Sequence, residues 1–356
     1  MRKKNIAIIF GGKSSEHEVS RKSASTIIEN ISKDTYNVIM IGITKNGEWI
    51  YYTGPVENIS DGSWENNQNN KKAIIPADPS IGGIILKSDL EEKLIKLDAI
   101  IPVLHGKNGE DGTVQGLFTL SGVPFVGCDI LSSAMCMDKV ISNIMFEHVG
   151  LDQAKFTWFY LDEYLDNEDF YCDLIENKIG EYPIFVKPAN AGSSVGITKV
   201  YSRNDIKDAV IKAGKEDKKI LIEQGIKGRE IESAVLGNSN PFVSTLGEIE
   251  PCNDFYDYDA KYIDENSKLF IPARIDDEIA LKIKDSAIKA YRALGCSGLS
   301  RIDFFLEEGT NRVLINEINT FPGFTNISMY PMLMKESGYD LPGLIDKLIC
   351  LAIENN

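Results

Sequence analysis

The fold of this chain is decided by two short runs near its end, Ser300-Arg301-Ile302-Asp303-Phe304-Phe305 and Val313-Leu314-Ile315-Asn316-Glu317-Ile318-Asn319, joined through Glu307-Glu308-Gly309-Thr310-Asn311. Each run alternates apolar and polar side chains and the interval is turn-like, so the pair predicts a β-hairpin. Side chains two apart on a strand share a face. Arg301 and Asp303 then point one way together, and so do Glu317 and Asn319. If the strands pair, a cation, two carboxylates and an amide converge on one surface. Hard oxygen donors beside an arginine suit Mg²⁺ carrying a polyphosphate, because Mg²⁺ takes a few carboxylates and completes its shell with phosphate and water. The competing reading is a solvated hairpin face with weak salt bridges. Apolar residues flanking the acids, and Phe321-Pro322-Gly323-Phe324 directly after them, weigh against it.

Working outward, 356 residues allow two or three domains with real cores. A formal net charge of −15 argues against nucleic acid or an anionic membrane as partner, so a nucleotide would need a local basic pocket. Six cysteines lie scattered without any Cys-x-x-Cys, the pattern of reduced thiols in a cytoplasm rather than a zinc or disulfide framework. The basic start, Met1-Arg2-Lys3-Lys4, leads into an apolar run that stops at Gly11-Gly12, too short for a signal peptide. No stretch approaches a membrane span. The expectation is a cytoplasmic protein.

Asn5 to Phe10 reads as a buried strand, followed by the glycine turn and a helical stretch holding Glu16-His17-Glu18-Val19-Ser20. The glycine spacing is not GxGxxG, so a dinucleotide site is weakly signalled. Glu18 and Ser20 could face a small polar ligand; by themselves they read better as a helix cap with an acid at its positive end. Val38 to Ile43 and Trp49 to Tyr52 form a second strand and a hairpin, and Asn58 to Lys72 reads as a surface excursion without chemistry. Ala99 to Leu104 delivers His105-Gly106-Lys107-Asn108-Gly109-Glu110-Asp111-Gly112. Such loops at the C-terminal ends of strands are where α/β sheets bind ligands. His105 could equally be satisfied within a turn, and Glu110-Asp111 could cap a helix; three glycines crowded around them tilt the reading toward function. Pro124 to Gly127 reads as a last short strand. Lys139, in Met137-Asp138-Lys139, reads on composition as a solvated helix lysine.

Further on, Tyr182 to Pro188 is a strand carrying Lys187, and Ala189 to Ile197 is a glycine-serine loop leading to a second strand. A loop between two strands does not fit the Walker pattern; it fits a flap whose N–H groups and hydroxyls cover phosphates. Lys219 to Ile226 is another strand. Its Glu223, and Glu230 beyond it, could take an adenine amine and ribose hydroxyls or be two surface acids. Asp254-Phe255-Tyr256-Asp257-Tyr258-Asp259-Ala260-Lys261-Tyr262 shows neither periodicity, and its aromatics suggest a lid over an active site. Asp277 to Leu294 is an amphipathic helix ending at Gly295, and a final helix runs from about Gly343 to Glu354.

Taken together, Glu18-Val19-Ser20, HGKNGEDG (105–112), Met137-Asp138-Lys139, VKPANAGSSVG (186–196), FYDYDAKY (255–262), SRIDFF (300–305) and NEINTFPGF (316–324) closely resemble the D-alanine–D-alanine ligase family across essentially the whole chain. The resemblance implies the ATP-grasp fold: a mixed α/β and α+β architecture with a Rossmann-like parallel sheet domain (1–137) and two α+β domains (138–230 and 231–356) sandwiching ATP. It implies that ATP phosphorylates one D-alanine carboxylate, and that the amine of a second D-alanine displaces phosphate, for peptidoglycan precursor synthesis. In that scheme Glu18, Ser193 and Tyr262 form a triad at the first subsite, with His105 beside it. Lys139, Lys187 and Ser194 bind ATP phosphates, and Glu223 and Glu230 bind adenosine. Lys261 meets the transferred phosphate, Arg301 and the Gly323 amide form the oxyanion site, and Ser328 binds the second carboxylate. Asp303, Glu317 and Asn319 would ligate two Mg²⁺ (or Mn²⁺). A homodimer is also implied. Met329 stands where dipeptide-forming members commonly carry leucine, and offers a serine hydroxyl no partner, a cost of roughly 1–3 kcal/mol if buried. GKNGEDGT, SSAMCMDK and LFIPARID nevertheless resemble the D-alanine–D-serine ligases of glycopeptide resistance. A non-catalytic nucleotide sensor is the rival from another class.

Overall fold

The computed structural model describes residues 2–88, 92–250 and 268–355. Its strands form three sheets in chain order. The first contains β1 (Lys4–Gly11), β2 (Tyr36–Ile43), β3 (Trp49–Tyr52), β4 (Lys71–Ile74), β5 (Gly83–Lys87), β6 (Glu92–Lys96) and β7 (Ala99–Val103), arranged β6-β5-β4-β3-β2-β1-β7. The expected parallel pairing is confined to β2-β1-β7, and β3 to β6 extend the sheet by antiparallel neighbours. Ile6 to Phe10 and Ala99 to Val103 are buried throughout, as strands covered on both faces require.

Two expectations for this region fail for packing reasons. The stretch from Asn58 to Lys72 is no mere surface excursion. Within it Trp64 is fully buried, edge-on to Phe10 at 5.1 Å between ring centroids, with Tyr52 also beside it. The space for that indole comes from Gly42 in β2, where any Cβ would overlap the ring. Pro124 to Gly127 is not a strand but one bridge, Ile100 to Phe125. Pro124 has no N–H to give a ladder, and Gly127 turns away at φ +108°.

The second sheet is antiparallel: β8 (Phe156–Tyr160), β9 (Ile184–Pro188), β10 (Thr198–Val200) and β11 (Lys219–Gln224), arranged β10-β9-β11-β8. Helices Glu168–Ile179 and Ile206–Ala213 cover one face through Ile175, Ala209 and Val210. The third sheet holds β12 (Gly228–Leu236), β13 (Phe242–Glu250), β14 (Lys268–Phe270), β15 (Leu299–Glu307) and β16 (Val313–Asn319), arranged β14-β13-β12-β15-β16 and antiparallel throughout. The expected hairpin is β15–β16. Helix Asp277–Ala293 lies over this sheet, with Ile283, Ala287 and Ala290 in the core of Ile302, Phe304 and Leu306.

A helix that sequence patterning did not separate, Met329–Glu336, and the last helix, Leu341–Glu354, join the first and third sheets. Leu333, Met334, Leu344, Ile345 and Leu348 share one core with Ile6, Ile8 and Ile28 on one side and Ala234 and Leu236 on the other. The Tyr36 hydroxyl donates to Asp346 at 2.5 Å, tying β2 to the last helix. Gly42→Ala is expected to destabilise the protein by about 1–3 kcal/mol through overpacking against Trp64. A denaturant midpoint equal to that of the unmodified protein would contradict this packing.

Candidate active site

The floor of the main cavity is β15–β16. Register pairs Arg301 with Asn319 and Asp303 with Glu317, then slips by one so that Phe304 faces Ile315 and Asn316 is the extra residue. This bulge changes the face that β16 presents. Val313 and Ile315 before it and Ile318 after it all enter the apolar core with Ile302 and Phe304. Glu317 and Asn319 are thereby turned onto the side of Arg301 and Asp303.

The charges there hold one another in place. Arg301 donates through Nε and Nη2 to the Asp303 carboxylate at 2.8 and 2.6 Å, and its Nε lies 3.0 Å from Glu232 on β12. Asn319 donates its amide to Asp303 at 3.0 Å. Lys139 arrives from the first residue of helix Lys139–His148, with Nζ 3.7 Å from Glu317 and donating to the Ala191 carbonyl at 2.7 Å. Asp138 fixes that helix start: one carboxylate oxygen accepts the Val140 and Ile141 N–H groups, and the other accepts Lys219 at 2.6 Å.

The glycine-serine loop forms the roof. Ser193 and Ser194 sit at φ +50° and +58°, a left-handed region that costs side-chain-bearing residues of order 1–3 kcal/mol each. Its base is held by Asn190, which donates to Asp217 through its N–H and its side-chain amide, and its tip is held toward the cavity by the Lys139 bond to Ala191 and a hydrogen bond from the Ser193 hydroxyl to the Glu16 carboxylate.

Loop residues after β7 form the wall. His105 is buried, with Nδ1 3.0 Å from the Phe321 carbonyl and Nε2 3.3 Å from the Ser23 hydroxyl. A carbonyl can only accept, so Nδ1 carries the proton and Nε2 accepts from Ser23. Burial pushes the imidazole below its ordinary pKa, against the opposing pull of Glu16. Glu110 accepts the Gly106 N–H at 2.9 Å and the Phe321 N–H at 3.0 Å, and its pKa is pushed up to about 7 by burial and then by Glu16. At the far end, Gly323 packs so close to the Ser328 hydroxyl that a Cβ would sit 2.9 Å from it. That hydroxyl is 2.8 Å from Thr325 Oγ1 and accepts the Thr325 N–H at 3.0 Å. Met329 is buried against Gly247.

Of the expected residues, His105, Lys139, Ser193, Arg301, Glu317, Asn319, Gly323, Ser328 and Met329 line this one cavity, and Asp303 lies directly behind Arg301. Lys187, Ser194, Glu223 and Glu230 fall outside its lining. Lys187 and Glu223 pair at 2.5 Å, and Asn143 donates to the second Glu223 oxygen at 2.7 Å. Lys261 and Tyr262, with the aromatic stretch from Asp254, lie outside the described residues. Glu18 requires correction: it is partly exposed and ion-paired with Lys45, and the contact expected between Glu18 and Ser193 is made by Glu16. Glu16 stands at the N-cap of helix His17–Asn30 on the cavity side, while Glu18, inside its first turn, is directed to Lys45. Glu16 and Glu232 were missed as site residues, and Glu110, whose neighbouring glycines tilted the reading toward function, was assigned no role. Glu232 carried a signal, an acid set among the apolar residues of β12.

The site offers a fixed guanidinium, an ammonium and three hard oxygen donors around a common space. That set neutralises an anion in transfer. Among the described residues no three His, Cys, Asp or Glu side chains form a metal cage. Two carboxylates and one amide fit instead a cation that takes its remaining ligands from phosphate and water.

Comparison with known proteins agrees along the whole chain. The family profile described as D-ala D-ala ligase N-terminus matches residues 5–128, and that described as D-ala D-ala ligase C-terminus matches residues 145–350. A D-alanine–D-alanine ligase of Acetivibrio thermocellus is 51% identical, over 99% of this chain and 96% of its own. One from Caldicellulosiruptor bescii is 50% identical, over 100% and 97%. Among solved structures, the VanG D-Ala:D-Ser ligase of Enterococcus faecalis superposes with a TM-score of 0.90 at 42% identity, covering 99% of this chain and 100% of that one. The D-alanine–D-alanine ligase of Coxiella burnetii gives 0.87 at 31%, covering 100% and 95%.

Glu16→Gln is expected to lower kcat/KM for ATP-dependent phosphate release roughly 10- to 100-fold, the value of a charge-assisted bond to a buried carboxylate. Glu18→Gln should stay within about threefold of the unmodified protein, because exposed ion pairs contribute little. Steady-state kinetics giving the reverse order would reinstate Glu18.

Proposed function

We propose that this chain, which belongs to the D-alanine–D-alanine ligase family, joins two D-alanine molecules at the expense of ATP, supplying D-alanyl-D-alanine for peptidoglycan precursors. The observation that carries this reading is the bond from Ser193 to Glu16, which closes a phosphate-type loop directly over the Arg301–Glu317–Asn319 surface. A carboxylate held beside Glu16 would face a phosphoryl group held by Lys139, Lys187 and the loop hydroxyls and N–H groups.

The first step transfers the γ-phosphoryl group of ATP to the carboxylate of the first D-alanine, releasing ADP. Glu16 binds the ammonium of that substrate and Ser193 orients Glu16, with His105 beside the subsite. Asp303, Glu317 and Asn319 would hold two Mg²⁺ (or Mn²⁺), which would supply neutralisation of charge on the phosphates. Glu223 keeps acceptor capacity for an adenine amine while bonded to Lys187 and Asn143, since an ionised carboxylate has about four lone-pair sites. Glu230 takes the ribose hydroxyls. In the second step the amine of the second D-alanine, after losing a proton, attacks the acyl phosphate carbonyl. Arg301 and the Gly323 N–H stabilise the oxyanion, phosphate leaves, and Ser328 binds the carboxylate of the attacking molecule. Lys261 and Tyr262 complete the closure over an intermediate that water would otherwise hydrolyse.

The division into residues 1–137, 138–230 and 231–356, a homodimer and a cytoplasmic location belong to this proposal. No helix among the described residues is long and apolar enough to cross a membrane. The second reading, D-serine as second substrate, draws on the likeness to the Enterococcus faecalis ligase. Buried Met329 favours D-alanine, because it leaves a serine hydroxyl without a partner.

With ATP, Mg²⁺ and equal D-alanine and D-serine, D-alanyl-D-alanine should be the main product; predominant D-alanyl-D-serine would reverse the choice. Absence of D-alanine-dependent phosphate release would point to a nucleotide sensor. Glu317→Gln should leave the fold intact by circular dichroism and reduce turnover at least 100-fold, and near-normal turnover would remove Glu317 from the metal site.

A further inference from the structure

The turn from Thr320 to Phe324 carries the Gly323 N–H, yet it follows the last residue of β16 and has no sheet ladder to hold it. Its fixing points come from the opposite wall. Glu110 accepts the Phe321 N–H at 3.0 Å and the Thr320 hydroxyl at 3.3 Å through one oxygen, while its other oxygen is anchored by the Gly106 N–H at 2.9 Å. His105 donates to the Phe321 carbonyl, and Ser23 accepts the Phe324 N–H at 3.1 Å. Both polar groups of the Phe321 backbone are therefore held from the N-terminal side, two residues before Gly323.

We propose that Glu110 is a positioning residue for the reaction: as a carboxylate it grips the Thr320–Phe324 turn and thereby aims the Gly323 N–H at the reacting carbonyl. The inference rests on the ligase reading, which gives Gly323 its oxyanion role.

A carboxylate is a costly choice for this post. Glu110 is partly buried near Glu16, with His105 on its own loop and Cys136 from helix Ile130–Met137 facing it, and Lys139, Arg301, Glu232 and Glu317 lining the same cavity. Burial and the Glu16 charge push its pKa up to about 7. The sign follows directly. A folded-state pKa above the unfolded value means that ionisation costs folding stability as pH rises from about 4.5 to about 7. The ionised form is therefore not explained by stabilisation of the fold. What ionisation provides is acceptor capacity: the anion takes three donors, whereas a protonated acid turns one oxygen into a donor facing an N–H. The grip tightens as pH rises through about 7.

The test is the pH profile of kcat for phosphate release at saturating ATP, Mg²⁺ and D-alanine. The unmodified enzyme should gain activity through an apparent pKa near 7. Glu110→Gln should lose roughly 10- to 100-fold in kcat with KM for ATP changed less than threefold, and should lose the limb near 7 altogether. Glu110→Asp, which keeps a carboxylate on a shorter arm, should lower kcat and retain an acidic limb; it serves also where the glutamine variant does not fold. Glu110→Gln with normal kcat and the unchanged limb, or Glu110→Asp with normal kcat, would overturn the inference alone. No D-alanine-dependent release by the unmodified protein would overturn the ligase reading and this inference with it.

Discussion

One extra residue in one strand governs the site. Uninterrupted alternation from Val313 would carry Glu317 and Asn319 onto the face of Val313 and Ile315, into the apolar core beneath helix Asp277–Ala293. An unpaired carboxylate there would cost several kcal/mol. The bulge at Asn316 removes that conflict and brings four polar groups to a single surface. The mutual bonds of Arg301, Asp303, Glu232 and Asn319 then fix that surface.

The remaining walls are assembled by contacts between parts distant in sequence. Ser193 bonds to Glu16, His105 and Glu110 bond to Phe321, and Lys139 links Ala191 to the Glu317 region. Each contact joins one sheet to the edge of another, so the cavity exists only where all three meet. This arrangement also reconciles a chain of formal charge −15 with an anionic ligand. The cations are local and preorganised, and their field is strongest in a cleft with poor access to water.

Local periodicity made several strands legible, among them the decisive hairpin and the buried β1 and β7, together with the amphipathic helix after Asp276, but not β4 to β6, β8, β13 or β14. The gathering of Arg301 with Glu317 and Asn319 was legible too, though not its dependence on a bulge, because an extra strand residue leaves no mark in a short apolar-polar pattern. Glu16 and Glu18 flank a buried histidine, and nothing local says which acid turns inward; the angle at which the helix packs on β1 decides it. Trp64 looked like part of a polar excursion because its space is created by Gly42, over twenty residues away. Glu110 and Asp111 could not be told apart as cap or site residue, and Asp111 is the one that accepts the Thr113 N–H at 3.0 Å. The partner that sets Glu110 apart, Phe321, lies 211 positions later. Five described cysteines are free thiols, in keeping with their scattered spacing, and Cys252 lies outside the described residues.

The packing of helix Leu341–Glu354 on β1, β7 and the first helix has a bearing on biosynthesis. Ile6, Ile8 and Ile28 leave the ribosome well before Leu344, Ile345 and Leu348, which share their core, because more than 300 residues separate the two groups. At about 5–20 residues per second, the interval between them leaves that apolar surface without its folded-state partner. The core that joins the first and third sheets is therefore completed only after synthesis has passed the last helix.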